Sequence, residues 1–401
     1  MRIPAARTPG GNRNFSRTAM PTPELSIIIP AYNSAPWLPY AIESCLWQSQ
    51  PNIEAVIVDD GSTDATPQIV DAYAKADPRV RVLHQPNKGA GVARQAGQEL
   101  ARGRYLLWLD ADDFLDRHAA RDMIGVADRD HVDMVCGNAV VFSDKTFNSR
   151  RYFHHPAVAR TTFENPRYWK SKVAWRWIVS RAFVNAAHIT HPPLKLGQDV
   201  VVMYDLLCRV GTFSQCPSFF YYFRQEHKGM DSSLETEIEH ELVHYAYVRD
   251  ILVRAGRPKP LVKYLSENYL RDIKHYMPRI LGREPHWERR VLEISRELFS
   301  GVDPTWLARD FCEPEVRHNP ELERLGLVLR AGDEDAIRAE LAQYGAPGAQ
   351  HHHAPNKANA WHTFRRRIKA MLAPLSLKAR ARQSALRARA AKRLRGVWTP
   401  E

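Results

Sequence analysis

The chain has 401 residues, 44% of them hydrophobic and 25% charged, and a formal net charge of +12. That length and apolar content suit a globular protein with one large domain, a smaller one and appendages, and argue against a wholly disordered chain. No apolar stretch approaches the ~20 residues of a membrane span, no signal-peptide segment opens the chain, and five scattered cysteines without a C-x-x-C pair suit a reducing, cytoplasmic setting.

Residues 1–23 carry Arg2, Arg7, Arg13 and Arg17 with no acid and no apolar periodicity, which predicts a disordered basic arm. From Leu25 the run LSIIIPAY predicts a strand, Trp37 to Gln48 a helix, and IEAVIVDD a second strand closing on the turn DGSTD. A helix over Thr66 to Ala76, a short strand near Val80 to Leu83, the turn NKGAG, a helix over Val92 to Ala101 and the strand YLLWL continue the alternation. The expected fold is α/β, a mostly parallel sheet flanked by helices, with ligands at the carboxyl ends of the strands. Beyond Asp113 the pattern is mixed, with a strand over Met134 to Phe142 and a tryptophan-rich segment, YWKSKVAWRW. Apolar spacing of three and four then predicts an α-helical accessory region over 238–345, a linker over 346–362 that includes His351 to His353, and a basic tail over 363–401.

Two of the strands end in acids, Asp59 and Asp60 in VIVDDGSTD, and Asp110, Asp112 and Asp113 in LLWLDADD. Parallel strands bring both turns to one sheet edge. Ionised carboxylates gathered there need a cation, a donor-rich ligand or open water. Mg2+ and Mn2+ take oxygen ligands and leave positions for phosphate oxygens. Either turn alone is as well explained by the preference of Asp for turns. The pair is harder to dismiss, because between them NKGAGVARQ offers Gly89, Gly91, Lys88 and Arg94 at a helix N-terminus, a setting for an anion.

The segments LSIIIPAYNSAPWLPYAIESCLWQS, IEAVIVDDGSTDAT, NKGAGVARQAGQELARGRYLLWLDADD and GQDVVVMYDLL together resemble family 2 nucleotide-sugar glycosyltransferases of the Rossmann-like GT-A fold, of the kind that build bacterial envelope polysaccharide and lipopolysaccharide. The resemblance runs from Leu25 to about Ser233 and implies a GT-A domain over 24–237. It implies that Tyr32 stacks on the nucleotide base and that Asp60, supported by Asp59, accepts a hydrogen bond from it, which favours a UDP-sugar. Lys88 and Arg94 join the nucleotide-binding set. Asp110 and Asp112 stand as the D-x-D-like element for ribose and Mn2+ or Mg2+, Asp112 as the direct ligand, with Asp113 a helix cap or a support behind them. Arg224 pairs with the diphosphate; His227 and Lys228 beside it are as readily a solvated loop.

Asp199 matches the general base of an inverting transferase, with a helix N-cap as the alternative role. Gln198 stands where the family often has an acid. Gln198, Trp175, Arg176 and Trp177 are candidates for an acceptor groove, although tryptophan is equally core material. The implied partners are a nucleotide-diphosphate sugar and a hydroxyl of a glycan or lipid-linked glycan.

The excess charge is concentrated: from Ala354 onward there are 13 Lys or Arg against one acid, Glu401, and the remainder is balanced. Phe364, Ile368, Met371 and Leu375 lie at helical spacing among Arg365, Arg366, Arg367 and Lys369, the pattern of a helix lying on an anionic membrane surface. That predicts a peripheral protein on the inner face of the cell membrane, with a solvated basic tail as the alternative. A competing class, an anion-binding module with a degenerate transferase domain, meets two objections where nucleic acid is concerned. The tail lacks interleaved aromatics, and the rest of the chain has no basic excess.

Overall fold

The computed structural model of the chain describes residues 22–143, 146, 149–225 and 233–345. The basic arm as far as residue 21, the linker, the tail, and His227 and Lys228 lie outside the described residues.

The chain opens with β1 (Leu25–Ala31), α1 (Leu38–Leu46), β2 (Ile53–Asp60), α2 (Thr66–Ala76), β3 (Val80–Gln85), α3 (Ala90–Leu100) and β4 (Tyr105–Trp108). It continues with β5 (Phe114–Leu115), α4 (Ala119–Asp130), β6 (Met134–Phe142), β7 (Ser149–Phe153), β8 (Val158–Thr161), β9 (Trp177–Ser180), α5 (Arg181–Ala186), α6 (Gln198–Arg209) and β10 (Phe213–Arg224). The sheet order is β3-β2-β1-β4-β9-β6-β10-β5, with β7 on β6 and β8 on β10.

The first four strands are parallel, because a helix returns the chain across the sheet after each of β1, β2 and β3. Past β4 the expectation of a mostly parallel sheet gives way to a mixed one. β9 enters between β4 and β6 and runs antiparallel to both, and β5 is antiparallel to β10. Between β6 and β9 lie only β7, β8 and two short 3-10 turns, Pro166–Lys170 and Ala174–Arg176, with no α-helix to carry the chain back across the sheet, and β9 runs in the reverse direction. The helix α4, unforeseen, is amphipathic: Ala119, Ala120, Met123, Ile124 and Ala127 are buried on its sheet side.

Successive residues alternate between the two faces of the sheet. Leu25, Ile27 and Ile29 join one core with Leu38, Ile42, Val70 and Met123, while Ile28, Val56, Leu106 and Trp108 join the other with α6. That second core runs on without a break into the helices that follow β10. Tyr204 and Leu207 of α6 pack with Ile238, Leu242, Val248 and Leu265, so the helical region shares its interior with the transferase-like sheet. Each such side chain is worth about 1.5–3 kcal/mol of burial.

The helical region runs from Leu234 through a π-helical turn at Glu237–Leu242 into His244–Arg254, then through Pro258–Tyr264 and a second π-helical turn at Leu265–Tyr269 into Leu270–Ile280. It ends with Pro285–Ser300, Pro320–Ala331 and Glu334–Gly345. Among the described residues no helix is long and apolar enough to cross a membrane. None of the five thiols is in a disulfide; four are buried and Cys208 is half-buried.

Candidate active site

Parallel register carries the ends of β1, β2 and β4 to one edge of the sheet, and the acidic turns meet there. Tyr32, just past β1, keeps 48% of its surface exposed, an open aromatic face at the rim. Asn33 beside it takes a left-handed backbone (φ 48°), and its side-chain oxygen accepts from the Thr63 amide at 2.8 Å, which ties the first turn to the DGSTD turn.

Asp59 and Asp60 are both buried. Asp59 accepts from the Ser62 amide (3.1 Å) and lies 2.8 Å from His84 Nδ1; the hydrogen bonds to Asp59 and Asp71 raise the His84 pKa. Asp60 accepts from Gln85 Nε2 (2.7 Å) and from the amides of Lys88 (2.9 Å) and Gly89 (2.8 Å). Three of its acceptor positions are therefore spent on shaping the Gly-rich turn, a task the resemblance did not assign to it. Gly89 caps α3 with φ +89°, a backbone that glycine adopts without strain. The Lys88 side chain stays at the exposed surface.

Gly91, in the first turn of α3, lies under the loop before α6. A Cβ there would stand 2.3 Å from the Pro192 carbonyl oxygen and 2.9 Å from that of Leu194. Gly91→Ala is expected to cost about 2 kcal/mol by forcing this loop away. Urea denaturation at pH 7 measures it; a loss below about 0.5 kcal/mol would mean that the loop yields freely.

One turn further along α3, Arg94 is buried and its Nη2 donates to Asp110 Oδ1 at 2.6 Å, while its Nε finds no partner among the described residues. Arg94 therefore serves the carboxylates instead of reaching out to an anion. Asp110 and Asp112 are half-buried. Asp113 is fully buried, accepting from the Tyr221 hydroxyl (2.7 Å) and the Arg224 amide (2.7 Å). Burial, with the charges of Asp112 and Asp110, holds its pKa well above the usual carboxylate range. It braces the β4 turn against β10 and caps no helix.

Asp199 comes to the same edge from the first turn of α6. The cap is Gly197 (φ +73°), so the alternative role of Asp199 as N-cap does not hold. Burial raises the Asp199 pKa; Arg94 opposes the shift and Asp110 adds to it, which places all three charges within one field. Gln198 is buried, with Oε1 3.4 Å from His191 Nδ1. His191 rests edge-on against Trp108, and burial together with Arg94 lowers its pKa to about 3. Sequence reasoning passed over His191 and Tyr221; His191 lies in no motif, Tyr221 stands three residues before Arg224 without a role of its own, and each reaches the site through the fold.

Several candidates fall elsewhere. Trp177 is fully buried, with its ring edge-on to Phe213. Trp175 stacks on Tyr221 at 4.3 Å, and Arg176 lies over the Phe153 ring at 3.9 Å while donating to the Gly137 carbonyl. An acceptor groove built from these three is corrected: they are interior packing, because Trp177 opens β9 and the 3-10 turn Ala174–Arg176 just before it is buried against the sheet. Gln198, also buried, offers no open groove wall. Arg224 is buried, its Nε donating to the Asp112 carbonyl at 2.7 Å and its guanidinium 4.3 Å from the Trp37 ring centre. It fixes the backbone of the acidic turn from behind, where a role in pairing with the diphosphate had been expected.

The family model for glycosyl transferase family 2 matches residues 26–186. The putative glycosyltransferase EpsH of Bacillus subtilis is 32% identical over 184 residues, 43% of this chain and 52% of that protein. The succinoglycan biosynthesis protein ExoO of Rhizobium meliloti is 34% identical over 217 residues, 51% of this chain and 62% of that protein. The chain thus spans about half the length of these curated relatives. Among solved structures, residues 1–349 of S. aureus TarS in complex with UDP superpose with a TM-score of 0.65 at 20% identity, covering 80% of this chain and 91% of that one. The mixed sheet with its shared helical core is therefore a GT-A-like fold, and residues 26–186 of the chain are similar to glycosyltransferase family 2.

Proposed function

We propose that the protein is an inverting glycosyltransferase that moves a sugar from a nucleotide-diphosphate donor, a UDP-sugar, to a hydroxyl of a glycan or lipid-linked glycan. The observation that carries this reading is the meeting of Asp199, Arg94 and Asp110 beside Asp112 at the carboxyl edge of parallel strands. The TarS neighbour was crystallised with UDP and with UDP-GlcNAc, and ExoO is named for succinoglycan biosynthesis; both lend support to such a donor and acceptor. The basic tail would keep the enzyme on the anionic inner surface of the membrane, near a lipid-linked acceptor.

Asp199 takes the proton of the acceptor hydroxyl. The oxygen attacks the anomeric carbon, and the bond to the diphosphate breaks on the opposite face, which inverts the configuration. A pKa raised by burial makes Asp199 a stronger base than an exposed carboxylate. Tyr32 stacks on the base, the α3 N-terminus and Lys88 face the phosphates, and Arg94 holds Asp110 in place.

Among the described residues no three His, Cys, Asp or Glu side chains gather in a cluster fit to hold a metal unaided. A divalent ion at this edge fits the chemistry of Asp112 and Asp110, two half-buried oxygen donors whose negative field already pushes up Asp113, with the remaining positions left to ligand and water oxygens. When bound, such an ion supplies charge neutralisation for the leaving diphosphate.

Thermal shift with a panel of nucleotide sugars, with and without Mn2+, tests the reading. A donor at 100 times its Kd stabilises the folded state by about 2.7 kcal/mol. The expected result is a Mn2+-dependent rise in Tm with one donor that Asp112→Ala abolishes. No shift with any donor under any metal overturns the proposal.

A further inference from the structure

The family match ends at residue 186, before Asp199, and nothing in it describes what surrounds the base on its far side. That side is built by the helical region. The loop entering α6 lies against the helices after β10: the Lys195 amide donates to His240 Nδ1 at 3.3 Å, and Gly197 touches the His244 ring so closely that a Cβ would stand 2.5 Å from it. His244 Nε2 lies 2.6 Å from the Tyr264 hydroxyl, and the Tyr264 ring packs edge-on against Tyr204 of α6.

Glu241 sits between His240 and His244 in sequence, in the π-helical turn Glu237–Leu242, a kind of irregularity common at functional sites. It is half-buried, and its carboxylate is seen in no hydrogen bond or ion pair among the described residues. Its neighbours are already engaged. Asp272 accepts from Tyr245 (2.6 Å) and from Arg271 (2.9 Å), and Lys172 donates to Asn268 and lies over the Tyr264 ring. The groups that act on Glu241 are the acids Asp272 and Asp199 and the cations Arg271 and Lys172; the Tyr245, Tyr264 and Tyr276 side chains lie in the same cluster. A carboxylate without a partner, sharing a field with the base, is poised for a neutral hydrogen-bond donor. Gln198, which has replaced the acid often found beside the base, is turned to His191 and supplies no such acceptor.

We propose, on the transferase reading above, that Glu241 binds the acceptor: its carboxylate accepts a hydrogen bond from a sugar hydroxyl neighbouring the one that Asp199 deprotonates. The acceptor subsite is then shared between the two regions, and acceptor choice is set partly by helices outside the family match. Burial and the two neighbouring acids raise the Glu241 pKa to about 7, consistent with a carboxylate kept for a ligand at some cost to the fold.

The experiment uses the full chain, Glu241→Gln and Glu241→Ala, with UDP-N-acetylglucosamine as donor probe and methyl glycosides as acceptor probes, following UDP release. The expected result is a glycoside KM about ten-fold higher in both variants, with a smaller change in kcat. Equal glycoside KM values in an active wild type overturn this inference alone. A wild type that releases no UDP from any nucleotide sugar removes the transferase reading and this inference with it.

Stability gives a second readout that needs no acceptor. The ionised Glu241 weakens the fold as pH rises from its unfolded value through about 7, so Glu241→Gln is expected to raise Tm at pH 8 and leave it unchanged at pH 4.5. A lower Tm at pH 8 would make the carboxylate a structural group and overturn the proposal.

Discussion

Asp199→Asn is expected to lower kcat for sugar transfer by about 10^3-fold, with donor affinity changed by less than about three-fold. The amide has the volume and shape of the carboxylate but cannot accept a proton, so the loss falls on the chemical step. The same substitution is expected to leave Tm at pH 7 unchanged or higher. Burial and Asp110 hold the Asp199 pKa above that of the unfolded chain, so its ionisation weakens the fold as pH rises from the unfolded pKa through the folded one. Asn removes that penalty, and Arg94 keeps its bond to Asp110. In the wild type, the acid limb of the kcat/KM profile is expected above the ordinary carboxylate range, and it disappears in the variant. A variant within ten-fold of wild-type kcat would place the base elsewhere.

How much of this was legible in the sequence depended on whether a residue acts on its sequence neighbours or across the fold. The strands ending at Asp60 and Trp108 could be read directly, because a doubly covered parallel strand is an apolar run and its end is marked by turn residues. The helix Thr66–Ala76 and the strand Met134–Phe142 fall where their patterns put them.

The strand Trp177–Ser180 was hidden, since three apolar residues after a short turn read equally as groove lining or core, and only the pairing with β4 and β6 decides. The interior contacts of Asp113 and Arg224 were hidden for a related reason. Their partners lie 108 to 112 residues apart, and chain distance carries no local signal of which carboxylate faces inward. The acidic turn divides into two half-buried acids, Asp110 and Asp112, and one interior brace, Asp113. Glu241 lay beyond reach altogether, because nothing in EIEHELVHYAY tells that the helix docks beside the turn at Gly197.

Arg94→Met is expected to cost about 3 kcal/mol of stability at pH 7, since it removes a buried cation from a group of half-buried and buried carboxylates. Arg94 is the only cation whose contact with Asp110 is seen among the described residues, and its charge also acts on Asp199. Methionine fills much of the stem volume, so the loss reports charge more than packing. Without the guanidinium the four carboxylates of this edge repel one another, and the pKa values of Asp113 and Asp199, already raised by burial, rise further above those of the unfolded chain. The sign of the pH dependence follows: the deficit is small near pH 4 to 5, where these groups can hold protons, and grows as pH rises through their raised values.

Mn2+ should then act as a substitute charge. Its addition is expected to raise Tm in the Arg94→Met protein more than in the wild type, and this gain is expected to vanish in the double variant Arg94→Met/Asp112→Ala. Urea melts of the four proteins at pH 5 and pH 8, with and without Mn2+, form a double-mutant cycle that isolates the coupling. A deficit independent of pH would mean that Arg94 acts through packing alone. A Mn2+ effect equal in wild type and variant would place the ion away from the Asp110 to Asp112 turn.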